Sequence, residues 1–230
     1  MDIEPVSRKR LPATCAFDRC RRITDWLMKA VAWTLIAAAA SAPLAEAAGN
    51  ASAKPASSHK VDALFAQLEK ADAVVEGDSS AQHLVYVFFD ANCFYCHLTW
   101  KALQPYEKAG LQVRWVPVAY QQPSSVGRAA AIMQAPDRVA ALHTNETRYD
   151  ASKFDGGITP LAQVPKALVA QLRANTELMR AFGAPGTPLM VWKSKGEVRF
   201  KVGVPRLSEL PAITGLPAQR IDDPELAEFR

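Results

Sequence analysis

Past residue 60, apolar and polar positions fall into blocks of distinct period. Val61, Leu64, Phe65 and Leu68 recur at helical spacing, which predicts an amphipathic helix over Val61–Lys70. Gly77 to Ser80 breaks that pattern. His83 to Phe89 (HLVYVFF) is a continuous β-branched and aromatic run, the signature of a buried strand. Cys93 to Lys108 reads as a helix that ends near Gly110, and Leu111 to Val118 (LQVRWVPV) as a second strand. Strand, helix and strand in so short a stretch form a βαβ unit with parallel strands. Pro123 to Phe182 is helical in composition, with breaks at Pro136, Gly156-Gly157 and Pro165. Leu189–Trp192 and Val198–Val202 are short strands, joined into a hairpin by the turn Lys193 to Gly196. Arg206 to Ile213 reads as a last helix interrupted by Pro211, and the polar segment beyond Gly215 as a loose tail.

The order is βαβ, a helical block over about 121–182, then ββα. This is an α/β arrangement, and it is the thioredoxin order with a helical insertion between its two halves. The folded domain is expected over 81–217, with 218–230 as a flexible tail and 48–80 as a linker followed by the amphipathic helix.

The first 47 residues differ in kind. Arg8, Lys9, Arg10, Arg19, Arg21, Arg22 and Lys29 precede an apolar run from Val31 to Ala40, and Ala45-Glu46-Ala47 follows it. Basic flank, short apolar stretch and small-residue site together read as a secretory signal, with an uncleaved anchor as the other reading. Met28 opens a compact signal of its own and is a candidate true start. Cys15 and Cys20 lie outside the folded domain on either start. The chain is therefore expected to be exported.

Composition adds little. With 230 residues the chain has room for a leader and one domain, and its net charge of +4 is too small to indicate nucleic acid. The exported part carries two cysteines, Cys93 and Cys96. A disulfide across two intervening residues constrains little unfolded-chain entropy, so a purely structural bridge explains the pair poorly.

Chemistry explains it better. Cys93 falls where a buried strand feeds a helix, and unpaired N–H groups at a helix start favour a thiolate. Cys96 follows one turn later on the same face. One sulfur can attack a partner, and the other can resolve the mixed disulfide. No cofactor is needed. Cys93-Phe94-Tyr95-Cys96-His97 also fits the attachment pattern of c-type haem. His97 would then be an axial ligand, with Met133, Met179 or Met190 opposite, and the protein would carry electrons. A zinc site built from the cysteines, His97 and either His83 or His143 lacks ligand spacing in its second half. His59 and His143 read as surface residues. A third reading is a non-catalytic module that binds peptides in an apolar groove. In Gly183 to Pro188 (GAPGTP), Thr187-Pro188 is a candidate cis peptide at the start of a strand.

FFDANCFYCHLTW, GTPLMVW and VGVP together resemble the periplasmic thiol:disulfide interchange proteins of the DsbC/DsbG type, nearest the DsbG branch, from about Phe65 to Ile213. The resemblance includes Asp90, three residues before the first cysteine. It implies that Cys93 is the nucleophile, Cys96 the resolving thiol, and Thr187-cis-Pro188 the facing loop that offers backbone to an extended substrate, with Phe94 and Tyr95 beside it. It also implies that exported proteins bearing disulfides or oxidised cysteines are the substrates, and that a membrane protein of the DsbD or DsbB type exchanges electrons with the chain. Three features depart from the family pattern. Phe94 replaces the usual Pro or Gly of the motif. Val87 stands where thioredoxins place a buried acid. Only about 14 residues separate Ala47 from the first helix, too few for the family's dimerisation domain, so a monomer is expected.

Overall fold

The computed structural model describes residues 56–230. The expected export signal over 1–47, the start at Met28, Cys15, Cys20 and the linker up to residue 55 lie outside the described residues.

A five-stranded sheet forms the centre: β1 (Val74–Glu76), β2 (His83–Asp90), β3 (Leu111–Val118), β4 (Leu189–Ser194) and β5 (Glu197–Val202), in the order β1-β3-β2-β4-β5. β2 and β3 are parallel, with His83 opposite Leu111 and Asp90 opposite Val118. The other pairings are antiparallel. The helices are α1 (Ala56–Leu68), α2 (Phe94–Lys108), α3 (Ser125–Met133), α4 (Arg138–Thr147), α5 (Lys166–Ala181) and α6 (Leu210–Thr214).

The unbroken apolar run of β2 follows from burial on both faces. Its odd positions, Val85, Val87 and Phe89, join the core with α2, α3 and α6. Its even positions, Tyr86 and Phe88, join a second core with α1 and the end of α5 through Leu64, Phe65, Leu68, Met179 and Phe182. Every residue from Val85 to Asp90 is buried. The strand is thus a fixed rail, and the segment leaving its end is held in place.

Some expectations need correction. β1 was not anticipated: three residues are too few for a period, and Glu76 does not read as core. The Glu76 carboxylate is nevertheless buried, accepting from Trp115 Nε1 at 2.9 Å and from Gln104 Nε2 at 3.2 Å, and pairing with His143. His143 is therefore a partner of a buried acid, with its ring edge-on to Trp100 at 5.2 Å, and not a plain surface residue. Pro211 does not interrupt the last helix. It occupies the first turn of α6, where its missing N–H costs nothing, after a 3-10 turn over Leu207–Glu209. The hairpin strands run further than expected, and Lys195-Gly196 makes the turn.

The segment expected to be a loose tail is packed. Pro224–Phe229 forms a 3-10 helix, and Leu226 is fully buried. Lys101 on α2 pairs with Asp223 at 2.7 Å and also with Glu225, and Gln219 N donates to Tyr106 Oη at 3.3 Å. No helix among the described residues is long and apolar enough to cross a membrane.

Candidate active site

Cys93 is the N-cap residue of α2, with extended backbone at φ −82° and ψ 114°. Its Sγ accepts from Cys96 N at 3.2 Å and lies 3.6 Å from the carbonyl oxygen of Thr187. Its own carbonyl accepts from Cys96 N and His97 N, the first bonds of the helix. Both cysteines are free thiols with almost no exposed surface.

Their acidities diverge. Hydrogen bonding from Cys96 is the largest influence on Cys93. With help from Thr187 and Gln121 it outweighs burial and brings the thiol from 9.0 down to about 7. Burial pushes the Cys96 thiol far up, and the neighbouring Cys93 sulfur adds to the shift. The first sulfur is thus the more readily ionised of the two, and the second favours its protonated form.

The Thr187-Pro188 peptide is cis and stands against Cys93, while Pro188 itself is buried where β4 begins. Phe94 is half-buried and Tyr95 points to solvent with 56% of its surface exposed. The candidate residues Cys93, Phe94, Tyr95, Cys96, Thr187 and Pro188 therefore gather in one place. His97 faces α4 and the C-terminal 3-10 helix. Its Nδ1 faces Glu146 Oε2 at 3.2 Å, its Nε2 faces Glu225 at 3.5 Å, and its ring stacks on Tyr149 at 4.7 Å. Met133 and Met190 are buried in the core on the α2 side, and Met179 is in the opposite core.

Sequence reasoning missed several members. Asp90 closes β2 and is fully buried. It accepts from Asn92 N at 3.0 Å and Ser125 Oγ at 2.8 Å through one oxygen, and from Tyr120 N at 2.8 Å and Gln121 N at 3.1 Å through the other. One carboxylate thus ties the cysteine loop to the segment after β3. That segment in turn holds the proline loop: Gln121 Nε2 donates to Thr187 Oγ1 at 2.9 Å, and Thr187 N donates to Tyr120 Oη at 3.0 Å. Asn145 Nδ2 donates to the Ala91 carbonyl at 2.9 Å, Gly156 N to Asn92 Oδ1 at 3.1 Å and Tyr149 Oη to the Asn92 carbonyl at 2.8 Å. A Cβ at Gly156 would collide with the Asn145 side chain and the Ala91 carbonyl, so only glycine lets this loop approach. Of these, the sequence marked only Asp90, as part of a resemblance, and Gly156, as a break in the helical block.

Residues 69–213 match the thioredoxin-like domain family. The chain belongs to that family. The chain is 32% identical over 154 residues to the thiol:disulfide interchange protein DsbG of Pseudomonas aeruginosa, covering 66% of this chain and 59% of that protein. To DsbG of Escherichia coli it is 29% identical over 154 residues, covering 66% of this chain and 60% of that protein. The chain therefore spans about three fifths of the length of these relatives. Among solved structures, the catalytic domain of Proteus mirabilis ScsC superposes with a TM-score of 0.51 at 20% identity, covering 66% of this chain and 96% of that one. A periplasmic thioredoxin-like protein from Salmonella enterica serovar Typhimurium gives 0.53 at 20% identity, with 67% and 95% covered. At that identity the likeness establishes the fold, which is the expected α/β thioredoxin fold with its helical insertion.

Proposed function

We propose that this chain is a thiol–disulfide oxidoreductase acting on exported proteins in the periplasm. The observation that carries the reading is the pair itself: a sulfur at a helix start, acidified by its neighbour, with a protonated thiol buried one turn behind it.

In the reductive direction the Cys93 thiolate attacks one sulfur of a substrate disulfide. The substrate S–S bond breaks, a Cys93–substrate disulfide forms, and the departing thiolate takes up a proton. Cys96 then loses its proton and attacks the Cys93 sulfur. The second substrate sulfur leaves as a thiol, and Cys93–Cys96 becomes the disulfide. Two electrons pass to the substrate. A sulfenic acid substrate enters the same route, its oxygen leaving as water when the mixed disulfide forms. The Thr187 carbonyl, held by Gln121 and Tyr120, gives an extended substrate segment a backbone partner beside the attacking sulfur. Phe94, Tyr95, Thr187 and Pro188 form the contact surface. A membrane protein of the DsbD or DsbB type would reset the pair. Kinship with the DsbG proteins, whose names state thiol:disulfide interchange, supports the activity.

The test is equilibration of the purified protein in glutathione buffers of graded potential. Two thiols should appear and disappear together with a two-electron slope, about 30 mV per tenfold change. A covalently bound chromophore with a Soret band, or thiols that never couple to glutathione, would overturn the reading.

A further inference from the structure

The loop between α4 and α5 carries a residue that the fold does not require. Phe154 has φ +52°, the left-handed region, and 55% of its surface is exposed. It is the last residue before Asp155, which bridges to Asp150 through Asp150 N to Asp155 O at 2.8 Å and Asp155 N to Asp150 O at 3.1 Å. The turn demands that conformation, and Gly or Asn would adopt it at less cost than a bulky ring. The other such non-glycine position among the described residues, Lys195, is an exposed polar residue in the β4–β5 hairpin. Strain of this kind in an exposed apolar residue points to a task outside the fold.

The loop is braced, so the ring is held where it is. Asp150 accepts from Ser152 N at 3.1 Å and Ser152 Oγ at 2.6 Å, Arg128 pairs with Asp155 at 2.6 Å, and Gln122 Nε2 donates to the Phe154 carbonyl. The ring meets Phe94 edge-on, centroids 6.1 Å apart. Phe94 also lies 5.8 Å from the Tyr95 ring and 6.2 Å from that of Tyr149. Next to Gln122 in sequence, Tyr120 and Gln121 grip Thr187. Proline loop, glutamine run, Phe154 and Phe94 thus make a continuous rim that returns to Cys93.

We propose that Phe154 is a specificity-determining residue: with Phe94 it forms an aromatic wall that selects client segments carrying an aromatic or large aliphatic side chain next to the reactive cysteine. This rests on the thiol-exchange reading and deepens it. An extended segment running past Thr187 would place its cysteine at Cys93 and the neighbouring side chain against the two rings.

The experiment uses two peptides with a central cysteine disulfide-linked to thionitrobenzoate, one flanked by Phe and one by Ala. Cys93 attack on the peptide sulfur expels the coloured thionitrobenzoate. The protein should prefer the Phe peptide by about tenfold, the usual size of one apolar side chain's contribution in a pocket, and Phe154→Gly should cut that ratio below about twofold. Gly keeps the left-handed turn, so the ring alone is removed. Affinities for the same peptides with Ser in place of the cysteine should follow the same order. No preference in the parent protein, or a preference that Phe154→Gly keeps, overturns the assignment. If neither peptide exchanges at all, the exchange reading falls, and the Ser peptides alone decide the role of Phe154.

Discussion

Cys93 and Cys96 lie one helical turn apart, yet the forces on their thiols act in opposite directions. The first collects donors, while burial and the neighbouring sulfur act on the second, so ionisation is favoured at one and suppressed at the other. Thiolate absorbance of the reduced protein should therefore titrate with a midpoint of about 7. Because Cys96 is the largest contributor, Cys96→Ala should raise that midpoint towards 9.0, whereas Cys96→Ser, which keeps a donor, should raise it less. The Cys93 pKa is depressed in the folded state. Its stabilising contribution is thus complete above the unfolded value near 9.0 and is lost as pH falls through about 7. Denaturation of the reduced protein, compared with Cys93→Ala, should show the gap between the two widening from pH 7 to pH 9.

At the scale of elements, two features invite test. Glu107, near the end of α2, is pushed up to about 9 by burial first and then by the Glu76 carboxylate beside it. A raised folded pKa means that stability is fully present below the unfolded value of 4.5 and is lost as pH rises through about 9. Glu107→Gln removes the loss, so at pH 8 it should raise the melting temperature by about 2–4 °C per kcal/mol recovered, and it should flatten the pH dependence. The C-terminal 3-10 helix is the second feature. Leu226→Ala should destabilise by about 2 kcal/mol, the low end for a buried leucine, as read from urea unfolding. A change within error would mean that the segment does not hold α2. The strands β2 to β5 and the helix α2 were legible because period and composition mark them directly. β1 and the tail were not: one is too short for a period, and the other contributes a single fully buried leucine amid polar residues.

At the scale of the molecule, the site exists because the topology brings three strand ends together. β2 delivers Cys93, β3 delivers Tyr120 and Gln121, and the start of β4 delivers Thr187. The cysteines and the proline loop were visible in the sequence as motifs. The glutamine and tyrosine that link them were not, since they meet Thr187 across more than sixty positions and only the fold makes them neighbours. Asp90 holds the arrangement: Asp90→Asn would turn one acceptor oxygen into a donor facing backbone N–H groups. It should slow exchange with protein disulfides about 10-fold or more, by loosening the loops as much as by changing charge, which stopped-flow kinetics would measure.

The most direct measurement is covalent trapping. Cys96→Ser and Cys93→Ser proteins are each mixed with oxidised client proteins, quenched in acid and mapped by mass spectrometry. Attack by Cys93 and resolution by Cys96 predict that Cys96→Ser accumulates mixed disulfides at Cys93, that reductant releases them, and that Cys93→Ser forms almost none. Equal trapping by the two variants, or trapping by neither, would contradict the assignment.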